Sequence, residues 1–443
     1  MSHGSQERRP EGLLPGDQQG LIKLRAKRFA PFSFAPAPLS RPSQEKQEIS
    51  VPRLSYTINI DASTSPQGMT LVPGHAINRQ EEITSFEQKH PCSLAGLRRF
   101  IEDVREQKGM FHGDYNYAFT EPRIIEQSSD SVKVALDWMK TKYLYSRYYQ
   151  HHYPDEIPYF AQVAGTNVVW QTTEVDGSHK LVVVQRHEGN GLYGGTLGIV
   201  GGGWEMEQFH SAQEGEKRKQ KSGFSSMEPT RRKANNNNFH ETNEEICVPY
   251  ERLEKANMEI LGISSDNRLP HKDILMFGTL PVTHMEIFKW QKPELDNQGH
   301  KLQNPADPAV FCDATPQGIA QLLNQDKFIV TPATTANLLL VGKRMIYQTA
   351  ISESKSQREA VGIAESWQKQ LESKISIAEE NKNKIVEQHY IDHPEDLQDT
   401  QSYRPLRDPH AYHPAYDAAR KQGLMTPRQG MNRLFATTYS SQE

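Results

Sequence analysis

The chain has 443 residues, enough for one large domain or two to three ordinary ones. At 36% hydrophobic and 24% charged it can build a core, and a formal net charge of −4 argues neither for nor against nucleic acid as a partner of the whole chain. Three scattered cysteines, Cys92, Cys247 and Cys312, have no CxxC spacing, which excludes a disulfide framework or zinc knuckle and points to a reducing compartment.

No apolar run approaches membrane-spanning length, so no membrane partner is expected. The opening MSHGSQERRPEG lacks the apolar region of a secretory signal. A cytoplasmic protein is the expectation, with export by a signal-independent route left open.

Residues 1–55 are rich in Pro, Gln, Ser and Arg and read as a disordered arm with polyproline character. Within it, Ile22 to Phe29 (IKLRAKRF) is either a basic docking peptide or part of a solvated tail.

Residues 56–156 read as an N-terminal extension or a small α+β domain; both remain compatible with the sequence. Ser55 to Ser63 alternates as a strand does. Ser93 to Gln107 carries a capping Ser and one apolar face of Leu94, Leu97, Phe100, Ile101 and Val104, which predicts a helix. Ser131 to Tyr153 predicts a second helix, with Val132, Leu136, Met139, Tyr143 and Tyr149 as its core stripe. His151 and His152 adjoin its end, where the helix dipole favours a cation.

Residues 157–345 carry the chemistry. Val163 to Thr173 and Lys180 to Arg186 read as strands joined by the turn Val175-Asp176-Gly177-Ser178. Arg186, at a strand end, faces the glycine-rich segment that follows and is placed to meet a substrate phosphate or to pair with a glutamate. That segment ends in Gly201-Gly202-Gly203-Trp204-Glu205, where absent side chains let backbone approach a ligand. Trp204 either stacks on a base or packs.

His240 to Ile246 reads as a helix with Glu241, Glu244 and Glu245 at i, i+3 and i+4, on one face. Three like charges there repel unless a cation neutralises them. Hard oxygen ligands suit Mg²⁺ or Mn²⁺, which bridge to substrate phosphates.

A glycine turn carrying Glu, then a helix with Glu-x-x-Glu-Glu, resembles the signature of the Nudix hydrolases. The resemblance implies an α/β/α sandwich with a mixed sheet, extended here by the N-terminal α+β segment and a C-terminal helix. It also implies Mg²⁺-dependent hydrolysis of a phosphoanhydride in a nucleoside diphosphate linked to another group. By matching position, Glu241, Glu244, Glu245 and Glu205 would hold the metal, with Glu244 and Glu205 serving catalysis. Read from the residues themselves, Arg186, Gly202, Gly203 and Trp204 are the candidates to border a nucleotide-type substrate. The chain departs from the signature in four places. His240 stands where the family has Arg, Gln208 where it has Glu (unless the turn is one residue shorter, which puts Glu207 there), and Thr242 where it has an apolar residue; Phe209 to Phe239 replaces a short spacer. These departures motivate the alternative, a Nudix-fold nucleotide- or partner-binding module without catalysis.

The insert 209–239 is polar and basic, with Lys217, Arg218, Lys219, Lys221, Arg231, Arg232 and Lys233 and the run Asn235 to Asn238. It reads either as a tolerated loop or as a surface that steers phosphates or RNA toward the site. Ile274 to Leu280 and Glu286 to Trp290 read as further strands, and Thr315-Pro316 opens a helix. Residues 346–390 predict one long helix with an apolar stripe of Ala360, Ala364, Trp367, Leu371, Ile375 and Ala378. That stripe docks on the domain or pairs two chains as a homodimeric coiled coil. Residues 391–443 read as an irregular tail.

Overall fold

Among the described residues, twelve strands form one mixed sheet in the computed structural model. The structure describes residues 56–78, 80–89, 115–119, 122–142, 163–186, 196–204, 230–266, 271–291, 309–324 and 330–392. The strands are β1 (Tyr56–Asp61), β2 (Met69–Ala76), β3 (Tyr115–Phe119), β4 (Arg123–Gln127), β5 (Val132–Lys142), β6 (Val163–Thr173), β7 (His179–Gln185), β8 (Leu197–Gly198), β9 (Val200–Gly203), β10 (Asn257–Asp266), β11 (His271–Thr279) and β12 (Ala309–Asp313). The helices are α1 (Gln80–Lys89), α2 (Arg231–Ile246), α3 (Tyr250–Leu253), α4 (His284–Trp290), α5 (Pro316–Leu323), α6 (Pro332–Ser352) and α7 (Gln357–Asp392).

The spine of the sheet is β10–β11–β6. β11 pairs antiparallel with β10 and parallel with β6, from His271 opposite Val163 to Thr279 opposite Gln171. The expected β6–β7 hairpin forms, its turn fixed by Gly177 at φ +79° and by Ser178 N–H donating to Asp176 at 2.9 Å. Burial acts to raise the Glu174 carboxyl just before that turn, and hydrogen bonds from Thr172 and His284 outweigh it, holding the group below its ordinary value.

The sandwich expectation needs correction. β2, β3 and β5 bridge the two sides of the spine: β3 meets β6 at Ala118–Val163, and β2 meets β10 at Met69–Ile260. With β3–β5 and β5–β2 paired between them, six strands close into a barrel-like ring. The strands of residues 56–142 therefore share one sheet with those of residues 163–313.

Among the described residues, two large apolar clusters fill the fold, with a smaller one of Tyr347, Ala350, Ala360 and Ala364 between α6 and α7. Trp170, Val182, Val184, Val200, Trp204 and Met276 belong to the one beneath α2. Their alternates Val169, Leu181, Val183 and Leu275 face Leu338 to Val341 of α6. α7 docks its predicted stripe back on the chain: Ala360, Ala364, Leu371, Ile375 and Ala378 are buried, and Trp367 seats against Gly342 of α6. No helix among the described residues is long and apolar enough to cross a membrane.

Three elements differ from the sequence reading. Ser131 to Tyr153 was expected to be helical, yet Val132–Lys142 is a strand with Val132, Val134, Leu136 and Trp138 buried in alternation. The Val132–Leu136 spacing of four fits both a helical and a strand period, so the stripe misled. Glu286 to Trp290 is helical because Thr283 and Glu286 form a reciprocal capping box. Arg231 to Phe239, read as part of a loop insert, is the first half of α2. The helix expected over Ser93 to Gln107, together with Tyr143, Tyr149, His151 and His152, lies outside the described residues.

Candidate functional site

α2 begins where Thr230 accepts a hydrogen bond from Lys233 N–H, and it ends at Cys247, which takes a left-handed φ of 59°. Its buried face is Ala234, Asn237, Asn238, Thr242 and Ile246, a helical repeat built largely from polar residues. Most of its polar groups have a partner beneath them, while Asn238 Oδ1 is buried without a hydrogen bond. Asn237 donates to the Thr166 hydroxyl at 2.8 Å, and the Trp170 indole N–H donates to Thr242 at 2.8 Å. Thr242 in turn donates to Asn238 O, and Asn238 reaches Met276 Sδ. Phe239 stacks on Trp170 with ring centroids 6.4 Å apart.

Two basic residues of the supposed loop also serve this seat. Arg231 donates to Met258 O at 2.7 Å, and Lys233 donates to the Tyr117 hydroxyl at 3.0 Å while lying 5.8 Å over its ring. Burial pushes the Tyr117 hydroxyl well above its ordinary value.

This seating presents the acid face of α2 to β9. The Glu241 carboxylate lies in the space that a Gly202 side chain would fill, its Oε2 2.9 Å from where a Cβ would stand. Glu245 Oε2 accepts the Gly201 N–H at 3.1 Å. Gly201, at φ +152°, has Thr166 O and Asn167 where a side chain would begin, so only glycine fits. Glu244 turns outward, its side chain 59% exposed, and meets His240 Nε2 at 3.1 Å. His240 Nδ1 contacts the Tyr250 hydroxyl at 3.2 Å, so the imidazole bridges helix and rim. The fold thus brings two of the three glutamates to the glycine strand and sets the third beside them, facing solvent.

Arg186 lies on the same face as α2. It stands two residues beyond Val184, whose partner across β7–β8 is Gly198, and its Cγ and Cδ sit 3.0 and 3.1 Å from where a Gly198 Cβ would be. Its backbone N–H donates to Thr196 O, but its Nε is buried without a hydrogen-bond partner. A guanidinium is always charged, so an orphaned donor there carries an unmet desolvation cost.

Trp204, expected to border a base, is a core residue instead. It is fully buried, with its ring 5.0 Å from Tyr117 and 5.4 Å from Phe119, and its backbone bridges Ala164 O and Tyr117 N–H. No face of the indole is open to a ligand. Gly203 pairs with Gly165 at the end of β9. Glu205 and Gln208 lie outside the described residues. Among the described residues, no three His, Cys, Asp or Glu side chains are grouped to hold a metal.

Sequence reasoning missed the packing role of Asn237, Asn238 and Thr242. The available signal was their spacing, which continues from Ala234 to Ile246 along one helical face.

Among solved structures, the chain is similar to the crystal structure of a Nudix hydrolase from Alicyclobacillus acidocaldarius. The identity is 12%, the likeness covers 43% of this chain and 96% of that one, and the TM-score is 0.26. No family model and no curated protein matches the chain. The reading of the site therefore rests on its own residues.

Proposed function

We propose that the chain is a metal-dependent hydrolase that cleaves the phosphoanhydride of a nucleoside diphosphate derivative. The observation that carries this reading is the seating of Glu241 and Glu245 against Gly201 and Gly202, a stretch of strand bare of side chains. The carboxylates pack directly on bare backbone, and Arg186 adds a cation on the same face with an unused donor. This donor chemistry fits a hard divalent ion.

Glu241 and Glu245, with Glu205 from the following segment, would hold Mg²⁺ or Mn²⁺. When bound, such an ion supplies polarisation of the phosphoryl oxygens and neutralises charge on the leaving group. Glu244 stands on the rim, where an exposed carboxylate takes a proton from an attacking water, and His240 orients it from 3.1 Å. Arg186 would bind a phosphate oxygen.

A second reading, a nucleotide-binding module without catalysis, draws on the engagement of two of these carboxylates with protein groups, Glu244 with His240 and Glu245 with Gly201 N–H.

A hydrolysis screen separates the two. Purified chain is assayed against ADP-ribose, sugar nucleotides, dinucleoside polyphosphates and capped RNA, with and without Mg²⁺ or Mn²⁺, beside Glu245→Gln. The hydrolase reading predicts metal-dependent release of a nucleoside monophosphate, reduced on the order of 10²-fold or more in the variant. Turnover unchanged in Glu245→Gln defeats the assignment; nucleotide binding without turnover, indifferent to metal, selects the binding module.

A further inference from the structure

We propose that β4 is a seam at which two copies of this chain pair edge to edge. Among the described residues β4 has β5 as its one neighbour, and all five of its residues are exposed, with Ile124 and Ile125 each about half exposed. An open edge bearing two large apolar side chains is a template for another strand.

The sequence of that edge, Arg123-Ile124-Ile125-Glu126, is complementary to itself when run antiparallel. A two-fold axis at the Ile124–Ile125 peptide sets Arg123 opposite Glu126 of the partner subunit, and Ile124 opposite Ile125 of the partner subunit. Such opposite-charge and β-branched cross-strand pairs favour pairing.

The fold supplies the geometry this needs. Residues three apart on a regular strand point to opposite faces. The bulge between Ile124 and Glu126 removes that offset: Arg123 stands opposite Ala135 and Glu126 opposite Lys133, positions that share one face of β5.

The neighbours extend the pattern. Arg123 Nη2 meets Asp137 Oδ1 at 2.9 Å, where His75 N–H also donates, and this pairing, foremost the Arg123 hydrogen bond, holds the Asp137 carboxyl below its ordinary value. Glu126 lies 3.6 Å from Lys133. Across the seam the charges then alternate: Asp137, Arg123, Glu126 of the partner subunit, Lys133 of the partner subunit. The two-fold axis repeats the row. A parallel pairing would set arginine against arginine, so the row also selects the orientation. Arg123 and Glu126 keep 51% and 66% of their side chains exposed, leaving both able to serve a second partner.

The test is sedimentation equilibrium of the full chain over a concentration series. The expected result is a mass rising from 50.4 kDa toward twice that value. Arg123→Glu and Glu126→Arg should each weaken the dimer at least tenfold, and the double reversal should restore it. Ile125→Lys, which leaves the Asp137 pairing untouched, should also abolish it, with thermal melting confirming a folded chain. A monomer at every concentration overturns the proposal. So does a dimer indifferent to Ile125→Lys, or one that the double reversal fails to restore.

Discussion

The helices α6 and α2, on the two faces of the sheet, are seated by different balances of apolar and polar contact. α6 presses Leu338, Leu339, Leu340 and Val341 into the apolar cluster over one face. It is then locked by Arg344, which is 3% exposed and donates to both Glu259 oxygens and to the carbonyls of Ser63, Ser65 and Pro66. Lys343 adds a 2.7 Å contact to Asp61. α2, on the other face, buries two asparagines and a threonine. Apolar packing is non-directional and tolerates small slides, whereas a row of hydrogen bonds fixes one register. α6 has directional bonds too, from Asn337 to Asn167 O and Met276 O and from Arg344 near its end, but around an apolar centre. α2 is seated mainly by polar side chains, which suits a role in placing carboxylates.

Two substitutions sharpen that contrast. Arg344→Ala should have the largest effect, about 3–5 kcal/mol, because it leaves Glu259 uncompensated and three carbonyls without their donor. Urea unfolding measures it directly, and a loss below 1 kcal/mol, on the order of a surface ion pair, would mean the lock is ornamental. Asn237→Ala should cost less, about 1–3 kcal/mol, by stripping the Thr166 hydroxyl of its donor. Its signature lies elsewhere: the register of α2 loosens, so nucleotide turnover should fall further than stability does. Equal losses in both would make the polar seat a matter of stability alone.

The same contrast explains what the sequence disclosed. The strands Tyr56–Asp61, Val163–Thr173 and His179–Gln185, the Thr315-Pro316 helix start and the long C-terminal helix from Gln357 were legible because local patterning and local folding agree there. Residues 346–352, read as part of that helix, instead end α6 before a break at Ser354. The glutamate helix was legible from Glu241, Glu244 and Glu245, but its first half was not. Asn237 and Asn238 are buried by partners distant in sequence, Thr166 and Met276, and a polar residue carries no local mark of a distant partner. Ring closure was equally hidden, since it depends on β2 and β3 meeting β10 and β6 at one residue pair each. Trp204 was read as a possible ligand face because its neighbours in the chain are glycines. Its neighbours in space, Tyr117 and Phe119, decide otherwise.

The central claim is that α2 carries carboxylates to the glycine strand in order to hold a divalent ion. Titration of Mn²⁺ into the purified chain, followed by electron paramagnetic resonance, reads that claim without reference to any substrate. The account predicts a saturable Mn²⁺ site in the wild-type chain that is weakened at least tenfold by Glu241→Gln and by Glu245→Gln, with Mg²⁺ competing. Equal Mn²⁺ binding in the wild type and both variants, or no saturable site at all, would contradict it.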